Sequence, residues 1–314
     1  MTARREKRSI TKHRQERLVS LLLLIGVIYF AIIISGKMSR GTALGLYLAA
    51  TSVLPSTIPF MIISDLYLAY GYPERIGVLA KIARGVLHLP GSSIRAIIIG
   101  NLSGFPIGAK IATELYTGGG IDKKNAEKLI ALSNNPSIPF TVSVVGLTML
   151  KDIKIGIFLL IIIYISTFLT ALIYRDKGKV YDYQSVDMSG GFDLVASVKK
   201  CGDASISIVV FISLFYGIIT LLRELIANEY LIVSIASVLE LTSAVNFISL
   251  SCFSPLEKTS LTAFALGFGG LSVMMQTAVF TKPAGLSLKP YFKIKLTEGF
   301  LSFLLVRLLY PLLF

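Results

Sequence analysis

The stretch Ile97-Ile98-Ile99-Gly100-Asn101-Leu102-Ser103-Gly104-Phe105-Pro106-Ile107-Gly108-Ala109-Lys110 constrains this chain more than any other part of it. Three glycines, a proline, an asparagine and a lysine interrupt a run otherwise apolar enough for a bilayer. Glycine and proline break helices, and Asn and Lys are costly when unpaired in hydrocarbon. Such backbone persists at membrane depth only where protein or a water-filled cavity surrounds it. The segment therefore predicts a polar site inside a membrane.

The rest of the composition agrees with that setting. Hydrophobic residues make up 54% of the 314 positions and charged residues 16%, and the mean hydropathy is +0.74, far from the usual soluble balance of about 25% charged residues. A polytopic membrane protein fits; a soluble enzyme with one anchor does not. The cations Arg4, Arg5, Lys7, Arg8, Lys12, Arg14 and Arg17 form a basic tail over 1–17 that predicts a cytoplasmic N-terminus by the positive-inside rule. Leu18 to Ile34 follows as a retained first helix, because Ser35-Gly36-Lys37 leads into another apolar run without a small-residue cleavage site. The net charge of +13 lies in short loops and tails, so it points to membrane orientation and anionic lipid rather than nucleic acid. Cys201 and Cys252 are too few for a disulfide framework, and His13 and His88 have no partners at ligand spacing. Neither a metal site nor a cofactor is expected.

Membrane spans are expected wherever an apolar run approaches about 20 residues. The runs are Leu18 to Ile34, Thr42 to Tyr70 with Pro55 and Pro59 as kinks, Ile153 to Tyr174, Ala204 to Ala227, Tyr230 to Leu250, and Leu296 to Leu313. Tyr72 to Leu89 carries Arg75, Lys81 and Arg84 among apolar residues, as in a helix lying in the interface. Asn125 to Leu150 is interrupted by Ser133-Asn134-Asn135-Pro136-Ser137-Ile138-Pro139. The resulting organisation is a membrane half over 18–174 with a hairpin at about 93–117, a polar connecting loop over 175–203, and a second half over 204–314 with a hairpin-like segment at about 260–281.

Weak symmetry between halves is common in transporter folds. Ser103-Gly104-Phe105-Pro106-Ile107-Gly108-Ala109-Lys110 finds an echo in Leu266-Gly267-Phe268-Gly269-Gly270-Leu271-Ser272-Val273, each a Gly-Phe break inside an apolar run. The fold expected is all-α, with two related, inverted halves and discontinuous helices.

The block from Asn101 to Lys110, followed by Gly118-Gly119-Gly120 and Ser133-Asn134-Asn135-Pro136-Ser137, resembles the sporulation integral membrane protein family called YlbJ or SpoVV. That family contains a nucleoside recognition, or Gate, domain and is distantly similar to concentrative nucleoside transporters. The resemblance runs from roughly residue 40 onward. It implies a bacterial transporter with re-entrant hairpins in the cytoplasmic or outer forespore membrane, linked to moving dipicolinate from mother cell to forespore.

Chemistry at the breaks can be read beside that resemblance. The freed N–H groups of a half-helix carry partial positive charge and can hold an anion. Gly104 and Gly108 would let a ligand approach the backbone, Asn101 and Ser103 would hydrogen-bond it, and Lys110 would supply a full charge. Gly267, Gly269, Gly270, Ser272 and Gln276 would do similar work in the second half, with Asn134, Asn135 and Ser137 lining the same cavity. A small planar dicarboxylate suits such a site, and so does a nucleoside whose ring edges the amides read. Asp65 and Glu240, acids within apolar runs, are the candidates for coupling H+ or Na+.

Other readings stay open at this level. Gly100, Gly104, Gly108 and Ala112 recur every four residues, the pattern that lets membrane helices pack closely. Asn-Pro pairs start ordinary turns, and Asp65 has Arg95 or Lys110 as candidate structural partners. A membrane scaffold without transport is the alternative function. Enzymatic chemistry is not expected, since no His-Glu-x-x-His or Gly-x-Ser-x-Gly pattern occurs.

Overall fold

The structure, a computed structural model, describes residues 35–69, 77–176 and 191–314, together with Leu21, Leu24 and Ile25. The basic tail, most of the expected first helix and residues 177–190 of the connecting loop lie outside the described residues. Among the described residues every regular element is a helix.

Among the described residues five helices are long and apolar enough to cross a membrane: Ser35–Leu66, Ile153–Ile173, Leu194–Leu225, Pro255–Thr281 and Lys289–Leu313. Their outer faces are apolar at helical spacing. On α7 (Ile153–Ile173), Ile157, Ile161, Ile165 and Phe168 are exposed while Ser166 and Thr170 are buried. On α13 (Lys289–Leu313), Phe300, Leu304, Leu308 and Leu312 are exposed while Lys295 and Glu298 are fully buried. Apolar residues outside and ionisable residues inside is the arrangement hydrocarbon imposes, because lipid is as apolar as leucine and cannot satisfy a charge.

The first span combines α1 (35–48), a π-helical turn at Ala49–Val53 and α2 (Leu54–Ala69), with Pro59 tolerated inside α2. A short helix, α3 (Gly77–Gly85), follows, with Val78, Lys81 and Ile82 exposed and Ala80 and Ala83 buried. Next come α4 (Ser93–Ser103) and α5 (Ile107–Thr117), which pack along each other. The Ser92 hydroxyl donates to Gly120 O at 3.2 Å across the open end of this pair. Gly104 (φ 79°), Phe105 and Pro106 form the closed end, with a cis Phe105-Pro106 peptide. The pair is therefore a helical hairpin.

α6 (Lys123–Ser133) starts on the Asp122 side chain, which accepts from Asn125 N, and stops at Asn134. After Asn134 to Pro139 the chain resumes as a π-helix, Phe140–Met149, and returns through α7. Gly146 and Gly156 allow that return to pack tightly, since a Cβ on Gly146 would lie 2.4 Å from Gly156 Cα.

The second half also runs span, hairpin, interrupted helix and span, without a counterpart of α3 and with different turns. α8 (Leu194–Leu225) starts ten residues before the apolar run, because Asp193 caps the N–H groups of Val195 and Ala196, and so the polar loop is shorter than expected. The apolar run from Tyr230 to Leu250 is not a span. It folds back at Glu240 into α9 (Glu229–Leu239) and α10 (Leu241–Leu250), and Tyr230 stacks on Phe253 at 4.2 Å across the open end. α11 (Pro255–Phe268) and α12 (Gly270–Thr281) then run as one interrupted helix, broken at Gly269 (φ 79°) and Gly270 (φ 81°). The hairpin-like segment expected at about 260–281 is thus an in-line break, and the fold-back lies at Glu240. By element order the counterpart of the Gly104 tip is Glu240, and the counterpart of Gly269 is the Asn134–Pro139 break. α13 closes the set and packs mainly on α11, α7 and α6.

Candidate functional site

Both hairpin tips and both helix breaks meet in one place. A Cβ on Gly104 would lie 2.8 Å from Ser137 N, one on Gly269 would lie 3.3 Å from the Phe105 ring, and one on Gly270 would lie 3.1 Å from Leu239 O. The first tip therefore rests on both breaks and the second tip on the α11–α12 break. Only glycine permits these approaches, and at Gly104, Gly269 and Gly270 it also supplies a positive φ.

Between these contacts lies a cavity with about 420 Å3 of empty volume, mouth included. Gly104 and Phe105 contribute from the first tip, Ser137 and Phe140 from the first break, Glu240 and Thr242 from the second tip, and Gln276 from α12. Thr57 of α2 and Ile208 and Ile212 of α8 complete the walls. Among the described residues the lining contains a carboxylate and neither Lys nor Arg.

Glu240 does two jobs at its tip. It caps α10, with Oε1 accepting from Thr242 N at 2.9 Å and Oε2 accepting from both the N–H and the hydroxyl of Ser243 at 2.5 Å. These bonds place an anion where the helix dipole favours one, while the residue also borders the cavity. In α12, by contrast, Gly269 at the N-cap offers no side-chain cap. Gln276 borders the cavity and donates to the buried Ser272 hydroxyl at 3.4 Å, while Ser272 itself does not line it.

A polar network lies behind the first tip. Asn134 donates to the Thr277 hydroxyl at 2.9 Å and to the Tyr291 hydroxyl at 3.2 Å, leaving its Oδ1 buried without a hydrogen-bond partner. Asn135 donates to Asn101 Oδ1 at 3.2 Å and accepts from Lys295 Nζ at 2.8 Å. Lys295 pairs with Glu298 at 2.9 Å, with neither side chain exposed. The other Glu298 oxygen accepts from the Thr167 hydroxyl at 2.9 Å. Lys295 Nζ also sits 5.7 Å from the centre of the Phe105 ring.

Several expected site residues lie elsewhere. Lys110 is on the flank of α5, 3.9 Å from Glu114, and does not border the cavity. Asp65 pairs with Lys200 of α8 at 3.8 Å, rather than with Arg95 or Lys110. Ser103 ties the hairpin to α2 through the Ser64 hydroxyl and by donating to Phe60 O at 3.3 Å. Gly108 is a packing residue, since a Cβ there would lie 2.0 Å from Ser133 O, and Gly267 packs on Gly299 and Ser302 of α13. Asn101 belongs to the network rather than to the cavity wall.

Lys295, Glu298 and Tyr291 are absent from the sequence-based list. The run Lys289-Pro290-Tyr291-Phe292-Lys293-Ile294-Lys295 reads as an interfacial approach to a span beginning at Leu296. The available signal was the Lys295 and Glu298 spacing, one turn apart at the start of an apolar helix. Among the described residues, no three His, Cys, Asp or Glu side chains gather to hold a metal ion.

The fold and the site define an all-helical polytopic membrane protein built on two hairpins and two interrupted helices around a common cavity. The chain is similar to the sporulation integral membrane protein YlbJ of Bacillus subtilis, with 24% identity over an alignment of 307 positions that covers 83% of this chain and 75% of that protein. No family model matches the chain, and no solved structure matches it.

Proposed function

We propose that the chain is a secondary transporter of a small anionic or heterocyclic solute, with dipicolinate during sporulation as the leading substrate. The observation that carries this reading is the convergence of both hairpin tips and both helix breaks on one cavity among membrane-spanning helices. Broken helices at the centre of repeated element sets are where transporters bind solute, because backbone groups freed there can face a ligand instead of lipid. Gln276, Ser137 and Thr242 offer amide and hydroxyl groups to it. The name of the B. subtilis relative supports sporulation as the setting, and the outer forespore membrane with a cytoplasmic N-terminus is the location we propose. The coupling ion is H+ or Na+, with Glu240 as the carboxylate at the cavity.

A neutral nucleoside is the second reading, favoured by one specific observation: among the described residues the lining has an acid and no cation. A dicarboxylate entering beside Glu240 needs a neutralising proton or a cation from a neighbouring layer, whereas a nucleoside needs neither. Uptake of labelled dipicolinate and labelled uridine into proteoliposomes tests both. Saturable dipicolinate uptake that Gln276→Ala weakens at least several-fold supports the first reading. Selective uridine uptake supports the second. Binding or uptake of neither, by protein that is folded, leaves the non-transporting scaffold.

A further inference from the structure

The Lys295–Glu298 pair is a charge site that the cavity does not explain. Both side chains are fully buried, and an ion pair so placed is a poor stabiliser. Removing two charges from water costs several kcal/mol per ion, and well-packed apolar replacements are often neutral or better. Its connections are what set it apart. Through Asn135 it holds the α6 break and through Thr167 it holds α7. The Phe105 ring, which lines the cavity, lies against its ammonium group.

The surroundings leave the pair electrostatically alone. From α6 the polar contact is Asn135, and Glu127 and Lys128 sit elsewhere, bonded to Ser287 N and Leu87 O. From α7 the contact is Thr167, while the Tyr174 hydroxyl is occupied with Thr297. Glu257 of α11 lies at the opposite end of the helix pair, within the field of Arg307. Tyr291 is on the same helix and bonded to Asn134. Among the described residues the remaining acid at the cavity is Glu240, across it on the other tip.

We propose that Lys295 and Glu298 form the proton-linked anion switch of this carrier, with the Phe105 tip as the element that it moves. The inference rests on the transport reading. When a proton binds a Glu298 oxygen, the carboxylate becomes a neutral acid and Lys295 keeps a full charge in low dielectric with only Asn135 and a ring face for company. A carboxylate of the solute, bound on the cavity side of Phe105, restores the balance. Proton and one solute carboxylate together leave the Lys295 layer neutral, the second carboxylate of a dianion facing the cavity outside that layer, while either one alone leaves an uncompensated charge. Each therefore favours the other's binding, which is the reciprocity required of coupled sites. A neutral solute gains nothing from the proton.

The chain contains no tryptophan, so Phe105→Trp installs a single fluorophore at the tip. In nanodiscs its emission is expected to titrate in one step with pH, the step vanishing in the Lys295→Met/Glu298→Met double variant and freezing near its acid-side value in Glu298→Gln. Dipicolinate affinity in the unlabelled protein is expected to rise as pH falls, by at most about tenfold per unit for one linked proton, over a range where dipicolinate stays fully ionised. Uridine affinity should stay flat. Emission that ignores pH, or a step that survives the double variant, overturns the switch and points to Glu240 in the second case. If no solute binds at any pH, the transport reading fails, while the fluorescence step still decides whether this pair takes up the proton.

Discussion

Gly108→Ala separates packing from ligand approach, the two roles open to the glycines of the first hairpin. A Cβ at this position would sit 2.0 Å from Ser133 O and 2.5 Å from Ser133 C, both backbone atoms at the start of the α6 break. Ordinary contact begins at about 3.4 Å, so α5 and the break have to part by about 1.4 Å. Overpacking of this kind costs about 1–3 kcal/mol, and a backbone obstacle belongs at the upper end because it cannot rotate away. Alanine recovers about 1 kcal/mol through its better helix propensity. The net loss is about 2 kcal/mol, roughly a thirtyfold fall in the folded fraction ratio. Unfolding in mixed micelles with increasing denaturing detergent measures it, with Gly85→Ala on α3 as the control, since a Cβ there meets nothing within 4 Å. A Gly108→Ala protein as stable as its parent refutes the packing argument.

Other substitutions probe the remaining layers. Lys110→Met should leave solute uptake unchanged and stability within about 1 kcal/mol, because it removes a partly exposed helical pair with Glu114; loss of uptake in folded protein would return Lys110 to the site. Glu240→Ala strips the acceptor from Thr242 N and Ser243 N and should cost about 1–2 kcal/mol in thermal unfolding; no loss would show that the second tip is held by other contacts. Lys295→Met alone strands a buried carboxylate and should cost about 3–5 kcal/mol, whereas Lys295→Met/Glu298→Met should recover most of it. A double variant as unstable as the single one would contradict the ion-pair account.

Much of the architecture was legible because it follows from single residues acting on their own backbone. Gly104 and Pro106 announce a break wherever they fall in an apolar run, and so do Asn134 to Pro139. Glu240 carries no such local signal. Tyr230 to Leu250 has the length and apolarity of a span, and its fold-back depends on a cap to Ser243 and on Tyr230 reaching Phe253, the latter a contact between residues far apart in sequence. The apparent kinship of the Gly104 and Gly267 blocks misled for the same reason: like residues make a hairpin tip in one place and an in-line break in the other.

The sequence alone determined the membrane setting, the helical class, and the positions where helices must stop, since hydropathy and backbone chemistry are properties of each segment. Tertiary structure decided which interrupted segments fold back, which glycines face a neighbour instead of a cavity, and which charges are buried. Lys110 and Lys295 show the difference. Both are lysines near apolar runs, but Lys110 finds Glu114 on a partly exposed flank, while Lys295 is enclosed by Glu298 of its own helix and by Asn135 and Phe105, brought there by two other parts of the chain. A side chain's own sequence neighbourhood does not carry its dielectric surroundings, because these are set by the helices that close around it.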